Sequence, residues 1–84
     1  GYAQDLNESL NDIRIVTEKS ADEMDKFAVK ANKAAKALGA ATTDYTKASL
    51  IYYQQGLNEK DVQARTKTTI KAANVTGQSA ETIS

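Results

Sequence analysis

Apolar residues fall along the chain at the three- and four-residue spacings of amphipathic helices, and polar caps and glycines separate the periodic runs. The first stripe is Ala3, Leu6, Leu10, Ile13 and Thr17, broadened at its end by Ile15 and Val16. Asp5, Glu8, Asp12 and Arg14 lie off the stripe, so the pattern predicts a helix over 3–17. Ser20 and Glu23 then form an S-x-x-E capping box, in which each side chain satisfies a backbone amide at the other residue. The helix they open, over 21–38, gathers Met24, Phe27, Ala28, Ala31, Ala35 and Leu38 on one face. Lys26, Lys30, Lys33 and Lys36 share another face, behind Asp22 and Asp25, an order of charge that suits the helix dipole. Gly39 fits the left-handed position that stops such a helix.

Thr42 or Thr43 is the expected cap of a third helix over 44–55, with Thr43 directly before it. Tyr45, Ala48 and Tyr52 line one side, while Leu50, Ile51 and Tyr53 cover much of the rest. This is the most apolar stretch, so burial is expected here. Gly56 ends it. Asn58 caps a fourth helix over 59–76, with Glu59 and Asp61 in the first turn and Val62, Thr66, Thr69, Ile70 and Ala73 facing inward. Gly77 closes that helix, and Ser79 is read as the cap of a fifth that starts at 80. Only Thr66 to Ile70 tempts a strand reading. The pattern therefore predicts an all-α fold of four helices plus the start of a fifth, in hairpins with short turns. Its seams are rich in alanine, which buries little area and so stabilises weakly at about 25 cal/mol per Å².

One joint is spelled twice. Val16-Thr17-Glu18-Lys19-Ser20-Ala21-Asp22-Glu23-Met24 recurs as Val75-Thr76-Gly77-Gln78-Ser79-Ala80-Glu81-Thr82-Ile83, keeping Val, Thr, Ser and Ala in register. Both copies end a helix, turn and cap the next. The stretches between them do not match each other, which makes this a reused capping device and not a duplicated domain. Where the second copy has Gly77, the first has Glu18, which must turn without glycine's freedom at positive φ.

Composition narrows the chemistry. Eighty-four residues make at most one small domain. The chain has no His and no Cys, removing the commonest general base, thiolate metal sites and disulfides. Eleven basic residues balance eleven acidic ones, so no electrostatic case exists for nucleic acid or an anionic membrane. No apolar run reaches the roughly 20 residues of a membrane span. The acidic residues lack calcium-loop spacing, and the single glycines do not cradle a phosphate. The lysine stripe reads as a solvated face, and the tyrosines, at helical spacing, read as core. Nothing in the sequence points to catalysis, a metal or a cofactor. The chain opens on Gly1 and stops at Ser84, soon after a helix-start signal, and is expected to be a piece of a longer helical protein.

The joints taken in order carry a resemblance. Leu38-Gly39-Ala40-Ala41-Thr42-Thr43, then Tyr52-Tyr53-Gln54-Gln55-Gly56-Leu57, then Thr76-Gly77-Gln78-Ser79-Ala80-Glu81 closely resemble the core of tail tape measure proteins of long-tailed phages and Gram-positive prophages. Each motif is weak alone, but their order and spacing are specific, and the likeness covers residues 10–84. Ala41 departs from the usual Thr, and Glu18 from the glycine of the second copy. The resemblance implies a non-enzymatic structural segment that helps set tail length during assembly and occupies the tail tube until the genome leaves. It implies other copies of the chain, the tail tube and tail assembly chaperones as partners, with no direct nucleic-acid or membrane contact from this segment. It places the chain in the virion, and in the host bacterial cytoplasm during assembly. Because a ruler in a narrow tube should be extended, the glycine-jointed hairpins suggest a compact state in isolation and an opened one in the tube. Two other classes compete. A secreted helical-hairpin interaction module commonly carries a Trp-containing turn, absent here, and a helix-turn-helix binder needs a basic recognition helix.

Overall fold

Local capping signals set several of the helix ends. The computed structural model describes residues 1–77, and over these the chain is all-α: α1 (Tyr2–Thr17), α2 (Ala21–Ala37), α3 (Thr42–Gln54) and α4 (Glu59–Thr76). The expected fifth helix and its cap Ser79 lie outside the described residues. Ser20 and Glu23 make the full capping box at α2, with the Glu23 N–H donating to Ser20 Oγ (3.2 Å) and the Ser20 N–H to Glu23 Oε1 (3.0 Å). At α4 the Asp61 N–H donates to Asn58 Oδ1 (2.9 Å). The start of α3 differs from expectation. The helix begins at Thr42, and Ala41, which has no side-chain oxygen, occupies its N-cap in place of Thr43. Thr42 is drawn away by donating to Asn32 Oδ1 across the joint (2.8 Å), while Thr43 is buried inside the first turn.

The helix ends fall into two kinds. Behind α2, the Gly39 N–H donates to Lys36 O and the Ala40 N–H to Ala35 O; behind α3, Gly56 and Leu57 bond to Tyr53 O and Tyr52 O in the same way. These paired closures are Schellman motifs. Glu18 and Gly77 instead make one bond each, to Arg14 O and Ala73 O. Their backbones are alike, φ 58 and ψ 26 at Glu18 against φ 74 and ψ 5 at Gly77. Both copies of the repeated joint therefore reach the left-handed region, one of them with a side chain that disfavours it.

α3 is the hub. Among the described residues it is the helix that packs on all three others, and it buries Tyr45, Thr46, Ala48, Ser49, Tyr52 and Tyr53. α2 contributes Met24, Phe27, Ala31 and Ala35 to the core, with Phe27 edge-on to Tyr53 at 6.1 Å between ring centroids. α4 contributes Val62 and Ile70. The predicted inward face of α4 is buried at Val62, Thr66, Thr69 and Ile70. α1 keeps most of its stripe: Ile13 is buried and Leu6, Leu10 and Thr17 are half-buried, whereas Ala3 is exposed and Ile15 and Val16, expected to broaden the stripe, face solvent at 60% and 42%. The same face buries Ser9, whose hydroxyl has a partner across the seam at Thr46 (2.7 Å).

Candidate functional site

The helices are held by two chemically distinct kinds of contact. Between α2 and α3 the seam is carbon: Phe27, Ala31 and Ala35 against Ala48 and Tyr53. On the other faces of α3 the seams carry hydroxyl pairs. Ser9 meets Thr46 (2.7 Å), Ser49 meets Thr66 (3.2 Å) and the Tyr52 phenol meets Thr69 (2.6 Å), all buried. Such pairs exclude water while contributing little net energy each, about 0.5–1.5 kcal/mol.

The joints named from sequence are brought together in two groups. Lys19 Nζ, beside Ser20, pairs with Glu59 Oε1, beside Asn58, at 2.9 Å. At the opposite end the Asn74 side-chain amide, three residues before Gly77, donates to Leu38 O beside Gly39 (2.8 Å). α2 and α4 thus run in the same sense, with α3 returning between them. Each clasp ties a turn of one hairpin to the next. Bonding to Lys19 holds the Glu59 carboxyl below its usual range, and the Ser20 N–H does the same for Glu23. Burial, helped by the nearby Glu59 charge, pushes the Tyr53 phenol up to about 12, and burial alone raises Tyr45. The buried hydroxyl Thr43 Oγ1 has no hydrogen-bond partner among the described residues, and Tyr53 Oη, near the Glu59 carboxylate, makes no hydrogen bond of good geometry there. Gly56 and Gly77 serve only the turns, and a Cβ at either would meet nothing within 4 Å.

Two surface grooves flank α3. One, of about 370 Å³, lies between α2 and α4, with Tyr45, Ala34 and Leu38 as floor and Lys30, Lys33 and Lys67 on its rim. The other, of about 270 Å³, lies between α1 and α3, where Asp5, Glu8 and Asp12 border Leu50 and Ile51 together with Lys47. At about 100° per residue, Lys47, Leu50 and Ile51 project roughly 140–240° around α3 from Tyr45. The grooves are on opposite faces. The described residues hold no cluster of three acidic, His or Cys ligands for a metal. No helix of the described residues is long and apolar enough to cross a membrane.

Sequence reasoning placed the caps Ser20, Glu23 and Asn58 and the turn glycines Gly39, Gly56 and Gly77, put the α3 cap at Thr43 where Ala41 stands, and missed Ser9, Thr46 and Asn74. Their signal was a polar residue one turn away from an apolar stripe, which periodicity of carbon side chains does not register. Comparison with models of known families, with curated proteins and with solved structures finds no match.

Proposed function

We propose that the chain is a non-enzymatic structural segment of a phage tail tape measure protein, helping to set tail length during assembly and filling the tail tube until genome ejection. The observation that carries this reading is the ordered series of joints at residues 38–43, 52–57 and 76–81, whose spacing resembles that family's core. The joints at 38–43 and 52–57 are places where the chain can fold back or straighten. The seams that hold it folded suit such a role. Alanines line the α2 side of α3 beside Phe27, and hydroxyl pairs cross its other faces, so less apolar burial opposes opening than leucine seams would give. In isolation the chain is compact. In the tube it opens into a more linear stack of the same helices, with the clasps Lys19–Glu59 and Asn74–Leu38 released. Copies of the same chain, the tail tube and assembly chaperones are its partners on this reading, which places it in the virion tail.

A length measurement tests the assignment. In a long-tailed phage or prophage carrying this chain, an in-frame duplication of residues 1–77 lengthens the tail by about 115 Å if the added helix lies end to end at about 1.5 Å per residue. Electron microscopy of purified particles reads the length, and mass spectrometry of the same particles reads the presence of the chain. Tails of unchanged length, or tails free of the chain, would overturn the reading.

A further inference from the structure

The balance of charge conceals a separation. Eleven basic residues offset eleven acidic ones over the whole chain, yet the groove between α2 and α4 is rimmed by Lys30, Lys33 and Lys67. The groove across α3 from it carries Asp5, Glu8 and Asp12 against one Lys47. Each has an apolar bed: Ala34 and Leu38 beneath the lysines, Leu50 and Ile51, half-buried, beside the acids. We propose that the lysine-rimmed groove is a docking surface for a second copy of this chain, which presents its acidic α1 edge and its Leu50–Ile51 ridge.

Charge complementarity selects this occupant, because the chain itself carries, beside an apolar ridge, the acidic surface that the groove lacks. Since the two surfaces are on opposite faces of α3, one copy cannot offer both to the same partner. The contact is therefore heterologous and head-to-tail, and it continues from copy to copy instead of closing as a dimer. Exposed ion pairs contribute little singly, so association is weak at the level of one contact and strongly screened by salt. Head-to-tail pairing follows from where the charges lie and would survive if the tail reading fell; that reading names copies as partners but no surface.

Sedimentation equilibrium on the full 84-residue chain tests it. The weight-average mass should climb past that of a dimer as concentration rises at low salt, and association should weaken about tenfold or more between about 0.05 and 0.5 M salt. Reversing the exposed lysines (Lys30→Glu, Lys33→Glu, Lys67→Glu) or the exposed acids (Glu8→Lys, Asp12→Lys) should abolish association in either variant alone. Mixing the two variants should restore it, because every acidic groove then faces a basic one; circular dichroism checks that both remain helical. A chain that is monomeric at all salts, a mass that stops at the dimer, or a mixture that stays monomeric would overturn the proposal. So would amide shifts on dilution that are confined to the lysine groove, which would mark a different acidic occupant.

Discussion

The α2–α3 seam and the α3–α4 seam do the same job with different chemistry. The first buries Phe27, Ala31, Ala35, Ala48 and Tyr53, and its cohesion comes from carbon removed from water. The second sets Ser49 on Thr66 and Tyr52 on Thr69, with Val62 and Ile70 beside them. A carbon seam resists opening in proportion to its area. A hydroxyl seam exchanges its bonds for bonds to water when it opens, at small net cost. The difference teaches where this molecule should part first: along the hydroxyl faces of α3, leaving α2 and α3 together.

The comparison breaks most visibly at Phe27. Phe27→Ala removes the ring that meets Tyr53 and should cost about 3–5 kcal/mol. In a domain this small that is a large part of total stability. Urea titration followed by circular dichroism should find the variant largely unfolded without denaturant.

Hydroxyl substitutions separate the two seams more finely. Thr66→Ala and Thr69→Val each leave a buried partner hydroxyl unsatisfied and should cost about 1–3 kcal/mol. Replacing both members of a pair, as in Ser9→Ala with Thr46→Val, should come much nearer to neutral, and a double-mutant cycle by thermal melting measures the difference. Thr43→Val should stabilise by about 1 kcal/mol, since its buried hydroxyl has no partner to lose among the described residues.

Outside both seams, the two left-handed joints calibrate what a turn contributes by itself. Glu18→Gly should stabilise by about 0.5–1 kcal/mol, because glycine reaches φ 58 without steric cost. Gly77→Ala should cost about as much, and its Cβ meets no neighbour, so the loss is backbone strain alone. Equal and opposite shifts in melting temperature would show that the two joints are interchangeable.

Alkali sharpens the contrast least but probes the carbon seam through one phenol. The Tyr53 phenol, buried against Phe27, sits near 12 when folded, above its ordinary 10. Its contribution is therefore fully present below pH 10 and declines as pH rises from 10 toward 12. Melting curves in that range should show a loss of stability that Tyr53→Phe reduces.

The fold was largely legible because its helices obey local rules. Val62, Thr66, Thr69 and Ile70 stand at helical spacing and are buried together, and Ser20, Glu23 and Asn58 cap where their side chains can reach an amide. Thr43 misled because two threonines stood in line and the competing bond from Thr42 to Asn32 comes from another helix. Ser9 and Thr46 were illegible for the same reason: a hydroxyl is buried only if a partner arrives across the seam, and that partner is far away in sequence. The grooves were half legible. Lys30 and Lys33 share a face of α2, but only the fold brings Lys67 of α4 beside them.

The central claim is that a chain compact on its own opens into a linear helix stack within a tail, and an interlabel distance tests it most directly. The chain lacks cysteine, so paired labels can be placed at two exposed sites, Val29 on α2 and Val75 on α4. The fold measures 35 × 27 × 20 Å, whereas the intervening chain laid out as continuous helix spans roughly 69 Å. In the isolated chain the two labels should lie within the dimensions of the fold, and in assembled tails their separation should move to well beyond 35 Å, toward that helical limit. An unchanged distance in assembled tails would contradict the account.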